Sequence, residues 1–205
     1  DVKAYAGDDP AMKQQVAKAA TNLFEIWPSD RIAEGQQIYE ELKIFAGDAP
    51  DLLLEVAQSG TNLLGSWPAT NFDGARALYN DLKVLSGEDL RLRFETAKAG
   101  VNLLGSWLTT QPEACPELSA DIRQHAGDDP AAQLVAGYGG LVMAVQRNDE
   151  GIWKENMDLL RQALMTANEL GPTYALTDSI LEAWRPIAAF LKVGRDAAPQ
   201  TPPPA

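Results

Sequence analysis

The sequence predicts an all-α fold, an α-solenoid of antiparallel helix pairs, and three observations support this prediction. Trp27, Trp67 and Trp107 stand 40 residues apart. Between them, apolar residues recur at helical spacing. A fixed period in this range indicates stacked supersecondary units that bury a shared core. A Gly-Asp-Asp-Pro marker, or a variant of it, recurs with the same 40-residue step at positions 7–10, 47–50, 87–90 and 127–130.

The first helix of each unit, called helix A, is predicted to begin near residue 10, 50, 90 or 130 and to end just past the tryptophan position. The marker glycine can end the preceding helix, and the acidic residue and proline can start the next one. The tryptophans lie on the apolar stripe, so we expect them to be core residues with satisfied indole N–H groups. In the first unit this stripe comprises Met12, Val16, Ala20, Leu23 and Trp27.

The second helix of each unit, called helix B, is predicted to follow a short break. Short breaks between helices make sequential helices antiparallel neighbours. In the first unit the apolar positions of helix B are Ile32, Gly35, Ile38, Tyr39, Leu42 and Phe45. Helix A also carries a column of small residues, which predicts close approach of the helices at Ala20, Gly60, Gly100 and Gly140.

The two ends of the chain differ from the repeated units. Residues 1–5 align with residues 41–45, the end of a helix B. We therefore expect the chain to open inside a unit, as a fragment of a longer array or after loss of a preceding helix. A capping helix, interrupted by Pro186, is predicted over 173–193. The predicted organisation is one solenoid domain over 1–195 and a Pro-rich, disordered tail or linker over 196–205.

Charge narrows the classes of partner. The chain has 29 acidic and 17 basic residues, a net charge of −12. Nucleic acid is not expected as a partner because phosphate binding needs clustered Lys and Arg. Membrane insertion is not expected either, since no apolar stretch approaches the ~20 residues that span a bilayer. Acidity would favour a basic peptide or protein electrostatically, but the interpretation that we favour is that it serves solubility alone.

No catalytic constellation is apparent, so we expect no enzyme activity, cofactor or metal site. Cys115 is the only cysteine, which rules out an intrachain disulfide and favours the reducing cytoplasm. His125 is the only histidine, and a metal site or a Cys/His catalytic pair needs more ligands or a nearby partner. Its position near a helix end would favour the imidazolium form.

Several phrases resemble a known repeat family. Phe72, Ala75, Tyr79 and Leu82 have the spacing of the second helix of a tetratricopeptide repeat. Residues 99–104 resemble the first helix of that repeat, and the Gly-Asp-Asp-Pro linkers resemble those of long-period bacterial variants. The resemblance covers roughly residues 1–165, although the step is 40 instead of the usual ~34. Family membership implies a protein–protein interaction scaffold with helix A lining a concave groove.

A column of asparagines forms the candidate binding site. In tetratricopeptide domains that grip peptide C-termini, an asparagine at this place contributes to a carboxylate clamp. Lys18 and Lys98 could supply charge to such a clamp, but Glu25 and Gly105 do not match it. The alternative is that the asparagines hydrogen-bond to an adjacent helix and fix its packing. The predicted peptide-binding residues are Lys18, Asn22, Gln58, Asn62, Lys98 and Asn102.

These observations favour a scaffold that binds a peptide or partner protein in its groove. Two alternatives stay open. The array could be a regulatory or support domain of a larger enzyme or signalling protein. It could also form homo-oligomers through an open N-terminal end, where a missing helix would leave apolar surface.

Overall fold

The computed structural model describes residues 9–171 and 174–197. Within these ranges there are nine α-helices and no strand, which confirms the predicted all-α class. We call α1, α3, α5 and α7 the A helices, and α2, α4, α6 and α8 the B helices. The bounds are α1 Pro10–Phe24, α2 Ile32–Ala46, α3 Pro50–Gly65, α4 Phe72–Ser86, α5 Leu90–Thr110, α6 Cys115–Ala126, α7 Pro130–Arg147, α8 Glu150–Leu170 and α9 Thr177–Ala197.

The repeated marker starts and stops helices as predicted. The carboxylate of Asp9 accepts a hydrogen bond from the N–H of Ala11 at 2.9 Å, and so caps α1. Each B helix that precedes a marker ends at a glycine with positive φ: Gly47 at 53°, Gly87 at 47° and Gly127 at 55°. A side chain at these φ values would be strained, so the 40-residue recurrence of glycine has a backbone cause.

The ends of two A helices differ from the prediction. We expected the A helices to run just past the tryptophans, but α1 and α3 end before Trp27 and Trp67. Pro28 and Pro68 directly follow these tryptophans. A proline disfavours the helical conformation at the residue that precedes it. Leu108 stands at this position in the third unit, and α5 continues through it.

The tryptophan column belongs to the core, as predicted. Trp27 and Trp67 are each 7% exposed and Trp107 is 5% exposed. The indole N–H of Trp27 donates to the carbonyl of Arg31 at 3.0 Å, and that of Trp67 donates to the carbonyl of Asn71 at 2.8 Å. The tryptophans therefore join the end of an A helix to the start of the next B helix.

The A helices contact one another in sequence, α1 against α3, α3 against α5 and α5 against α7. Each of α3, α5 and α7 also contacts the B helices before and after it. The small column makes these contacts possible: a Cβ at Gly100 would lie 2.6 Å from Cγ1 of Ile122 in α6 and 3.0 Å from Cε2 of Tyr79 in α4. The predicted close approach is therefore confirmed at Gly100.

Ion pairs connect successive B helices, a feature that sequence reasoning missed. Lys43 in α2 contacts Asp81 in α4 at 2.7 Å. One period later, Lys83 in α4 contacts Asp121 in α6 at 2.8 Å. The signal was present in the sequence, because both the lysines and the aspartates recur with the 40-residue step.

The last helix is continuous, contrary to the predicted interruption at Pro186. It spans Thr177–Ala197, later than the predicted 173–193. Ala183 and Ile187, on either side of the proline in the helix, are 5% and 0% exposed and belong to the core cluster. This packing holds the helix although proline lacks the N–H of one helical hydrogen bond.

Two predictions on the chain ends lie partly or wholly outside the described residues. The predicted helix end over residues 1–5 lies wholly outside them. Of the predicted tail over 196–205, the first two residues belong to α9 and the rest lies outside. Among the described helices, none combines the length and apolar character that a membrane crossing needs.

Candidate interaction surface

The predicted peptide-binding residues lie in two columns on the A helices. One column occupies positions 18, 58, 98 and 138, and the other occupies 22, 62, 102 and 142. Each column takes one residue from each A helix. We call this surface the A-face. Its members are Lys18, Asn22, Gln58, Asn62, Lys98, Asn102, Tyr138 and Val142.

Two of the asparagines join neighbouring A helices. The side-chain amide of Asn62 in α3 donates to the carbonyl of Thr21 in α1 at 3.2 Å. One period later, the amide of Asn102 in α5 donates to the carbonyl of Thr61 in α3 at 3.4 Å. This geometry agrees with the alternative interpretation of the asparagines, in which they hydrogen-bond to an adjacent helix and fix its packing. Asn22 lies on the first A helix and is exposed.

The side chains of the same two threonines bond in the opposite direction, from the earlier A helix to the later one. The hydroxyl of Thr21 lies 2.8 Å from the side-chain carboxylate and 3.2 Å from the carbonyl of Glu55 in α3. That of Thr61 lies 2.9 Å from the carbonyl of Ala57 in its own helix and 3.1 Å from the carbonyl of Glu95 in α5. Threonine and asparagine thus form a reciprocal polar connection between successive A helices. Sequence reasoning did not identify the threonines, although Thr21 and Thr61 each directly precede a column asparagine.

Lys98 sits between two carboxylates. Its Nζ lies 3.1 Å from Glu95 in the same helix and 2.7 Å from Glu182 in α9. Burial opposes the charge of Lys98, but the two carboxylates outweigh it and raise the lysine pKa. Glu95 is only 5% exposed, and burial raises its pKa although Lys98 and a hydrogen bond from Gln58 favour the charged form. Gln58 and Lys98 therefore satisfy a buried acid as well as lining the A-face.

The last helix covers the part of the A-face that belongs to α5 and α7. Glu182, Ala183 and Pro186 of α9 lie against an apolar recess of about 180 Å³. Further along, the ring of Phe190 meets Tyr138 of α7 edge-on, with centroids 5.9 Å apart. The other residues lining the recess come from α5 and α7 and are Phe94, Lys98, Val101, Asn102, Val135 and Tyr138.

The six predicted residues therefore fall into two groups. Lys98 and Asn102 lie beside α9. The other four belong to α1 and α3, where Lys18 and Asn22 are exposed and Gln58 and Asn62 are half-buried. The contacts of α9 described above involve α5 and α7 and not these four residues. The open part of the A-face is thus polar, whereas the covered part combines polar and apolar side chains.

The sequence carries a signal for this coverage that we missed. At the 40-residue step, Glu95 is replaced by Val135, Lys98 by Tyr138, and Asn102 by Val142. Val135 is 7% exposed, and the ring of Tyr138 packs on α9. The polar positions of the third unit thus become apolar in the fourth, where α9 buries them.

A first prediction concerns the asparagines. We expect Asn62→Ala to lower the free energy of unfolding by about 0.5–1.5 kcal/mol, because it removes the hydrogen bond between α3 and α1. Asn22→Ala is the matched control, since Asn22 is exposed at the equivalent position of α1, and its change should stay within about 0.5 kcal/mol. Urea unfolding of both variants measures the difference. Equal effects would show that the helix-bridging bond contributes nothing measurable.

The single histidine has a different environment from the one its sequence position suggested. Nε2 of His125 lies 3.0 Å from the hydroxyl of Ser86. Burial lowers its pKa, and the charges of Arg93 and Lys83 lower it further, against a smaller opposing effect of Asp121. The imidazolium form that the helix end would favour is therefore disfavoured in the folded protein.

A second prediction follows for pH. Because the folded-state pKa of His125 is lowered, its contribution to stability is fully present above its unfolded pKa of about 6.5 and is lost as the pH falls below that value. We expect the free energy of unfolding to decrease between pH 7.5 and 5.5, and to decrease less in His125→Gln. Urea unfolding at both pH values tests this. Parallel pH dependence of the two proteins would contradict it.

The single cysteine lies in the core of the protein. Cys115 is buried, and burial raises the pKa of its thiol, which disfavours the reactive thiolate. In the described ranges, no group of three or more His, Cys, Asp or Glu side chains could hold a metal ion. Comparison of the chain with protein-family models, with curated proteins and with solved structures gives no match.

Proposed function

We propose that this chain is a tetratricopeptide-like α-solenoid that acts as a protein–protein interaction scaffold and binds a partner protein or peptide on the A-face. One observation carries the proposal. The A-face already holds a helix, because α9 lies on α5 and α7 through Glu182 and Phe190. The part of the same surface on α1 and α3 is left open, and this part would receive the partner.

The repeat geometry supports the solenoid part of the proposal. The A helices contact one another in sequence, and each of the later ones lies between two B helices. Bonds with a 40-residue recurrence join the units: Thr21 and Thr61 on the A helices, Lys43 and Lys83 on the B helices. Such nearest-neighbour contacts are typical of repeat proteins, whose extended inner surfaces bind other proteins.

The open part of the A-face offers hydrogen-bonding groups rather than apolar surface. The ammonium group of Lys18 and the side-chain amide of Asn22 are exposed, and Gln58 lies beside them one unit along. Ammonium and amide groups can donate to backbone carbonyls or carboxylates, and amides can also accept from backbone N–H groups. This chemistry suits an extended peptide or a polar helix face.

Site-specific photocrosslinking tests the proposal. A photoreactive amino acid is placed at Lys18 or Asn22 on the A-face, and at Ile44 or Val84 on the B helices as controls. Both control residues are 83% exposed, so accessibility favours the controls. We expect the same partner polypeptides to crosslink at positions 18 and 22 and not at 44 or 84. Equal crosslinking on both surfaces, or crosslinking only on the B helices, would refute the proposal.

A second candidate function rests on α1. Met12 and Leu23 are 45% and 44% exposed, whereas their equivalents one unit later, Leu52 and Leu63, are 6% and 0% exposed. On α3, Leu63 lies against Gly35 of α2 in the preceding unit, so the equivalent side of α1 is suited to the same kind of apolar contact. We propose end-to-end pairing of two copies through this face as the alternative. Sedimentation of the wild type and of Leu23→Glu tests it, and a monomeric wild type would rule it out.

A further inference from the structure

We infer that α9 occupies a binding site for an amphipathic α-helix of a partner protein, and that the partner helix displaces α9 from α5 and α7. The inference rests on the proposed function, because it takes the A-face as the interaction surface, and it concerns the part on α5 and α7 that lies next to the open part on α1 and α3. It also assigns a regulatory role to α9, which would keep the apolar part of the A-face covered until the partner binds.

The position of α9 differs in one respect from that of a further A helix in the series. An A helix contacts the A helix and the B helix before it, and α9 likewise packs on α7 and places Phe190 near Trp153 of α8. In addition, α9 reaches α5, where Glu182 pairs with Lys98, while Phe190 meets Tyr138 of α7. A helix that crosses two units of the A-face lies where a bound ligand helix would lie.

The contacts define the chemistry of the occupant. The side of α9 that faces the A-face carries Ala183 and Ile187, which are 5% and 0% exposed, while Leu181 on the other side is 57% exposed. A carboxylate precedes this apolar stripe, and its partner Lys98 lies 2.7 Å away. The site therefore selects an amphipathic helix with apolar residues four apart and an acidic residue just before them.

The contact between α9 and the A-face leaves a recess beside Ala183, which is the reason to expect a different occupant. The recess of about 180 Å³ is lined by Ala183 of α9 and by the side chains of Phe94, Val101 and Tyr138. It is partly open to solvent, so apolar surface along it stays exposed to water while α9 occupies the A-face. A partner helix with a leucine at the position of Ala183 would fill the recess and bind more tightly than α9.

The two parts of the A-face also differ in what they can bury. The polar part on α1 and α3 cannot bury an apolar helix stripe without leaving its own polar groups unsatisfied. The apolar residues suited to this task, Val135 and Tyr138, lie under α9. An amphipathic partner helix must therefore replace α9 and cannot simply bind beside it.

The test uses the full chain and a fluorescent peptide of residues 174–197 as the probe. In a released variant, Ile187→Asp with Phe190→Ser, α9 loses the apolar contacts of these two side chains while α5 and α7 are unchanged. We expect the released variant to bind the peptide at least tenfold more tightly than the wild-type chain, in which α9 competes. Leu181→Asp alters only the exposed side of α9 and is the matched control, which should bind like wild type.

Two peptide variants examine the specificity. A peptide with Ala183→Leu should bind the released variant several-fold more tightly than the unchanged peptide, because it fills the recess. Lys98→Glu in the released variant should weaken binding about tenfold, and a peptide with Glu182→Lys should restore it. Restoration by charge exchange would place the peptide on the A-face in the orientation of α9.

Three outcomes would overturn the inference. The released variant could fail to bind the peptide although its other helices remain folded. Its other helices could unfold together with α9, which would make α9 an integral part of the fold. Wild-type copies could instead exchange α9 with each other, which would make a second copy the occupant. If the peptide binds as expected but nothing crosslinks at Lys18 and Asn22, the inference about α9 stands. Only the proposal that a partner binds the open part of the A-face then fails.

Discussion

Replacement of Trp67 by alanine should lower the free energy of unfolding by about 3–5 kcal/mol, the usual cost of truncating a buried aromatic side chain. Trp67 is 7% exposed, and its indole N–H donates to the carbonyl of Asn71 at 2.8 Å. The substitution would remove the contact between the end of α3 and the start of α4, and it would leave the Asn71 carbonyl without its donor.

Urea-induced unfolding measures this effect, with Val84→Ala as the control. Val84 lies in α4 and is 83% exposed, so its truncation should change stability by no more than about 0.5 kcal/mol. A change at Trp67 as small as the change at Val84 would show that the tryptophan column is not part of the core. That result would revive a binding role for the tryptophans.

Two glycines in one helix should respond to alanine in opposite directions. A Cβ at Gly100 would lie 2.6 Å from Cγ1 of Ile122, so Gly100→Ala must move α6 away from α5. We expect it to cost about 1–3 kcal/mol, the usual penalty for overpacking. Apart from the local backbone of α5, no atom lies within 4 Å of a Cβ at Gly105. Gly105→Ala should therefore stabilise the protein by about 0.4–1 kcal/mol, because alanine favours the helix.

The pair separates packing from helix propensity, because both glycines belong to α5. Thermal or urea unfolding of the two variants gives the comparison directly. Stabilisation by both substitutions would show that α5 and α6 do not approach as closely at Gly100 as the structure indicates. Destabilisation by both would show that alanine at Gly105 has an unforeseen steric conflict.

The helices and their boundaries were largely predictable, because their causes are local. The Gly-Asp-x-Pro markers set positive φ at the ends of B helices and start the A helices, and this chemistry is visible in the sequence. The errors at the ends of the A helices also have local causes. Pro28 and Pro68 end their helices early, and this effect could have been foreseen from the restriction that proline places on the preceding residue.

The candidate surface was less predictable, because it depends on contacts between distant residues. Asn62 and Asn102 were identified from their spacing, but only the structure places their amides on the carbonyls of the preceding A helix. The position of α9 was predicted as a cap at the end of the array. Its contact with Lys98 joins residues that are 84 positions apart, and no periodic pattern encodes it.

Hydrogen exchange of the wild-type chain, followed separately for α9 and for α5 and α7, tests the central claim most directly. The claim is that the A-face is an interaction surface whose present occupant can leave. It predicts that the amides of α9 exchange through a local opening, at least tenfold faster than those of α5 and α7, whose rates follow global unfolding. Equal protection of α9 and α7 would contradict it, because α9 would then open only when the whole fold does.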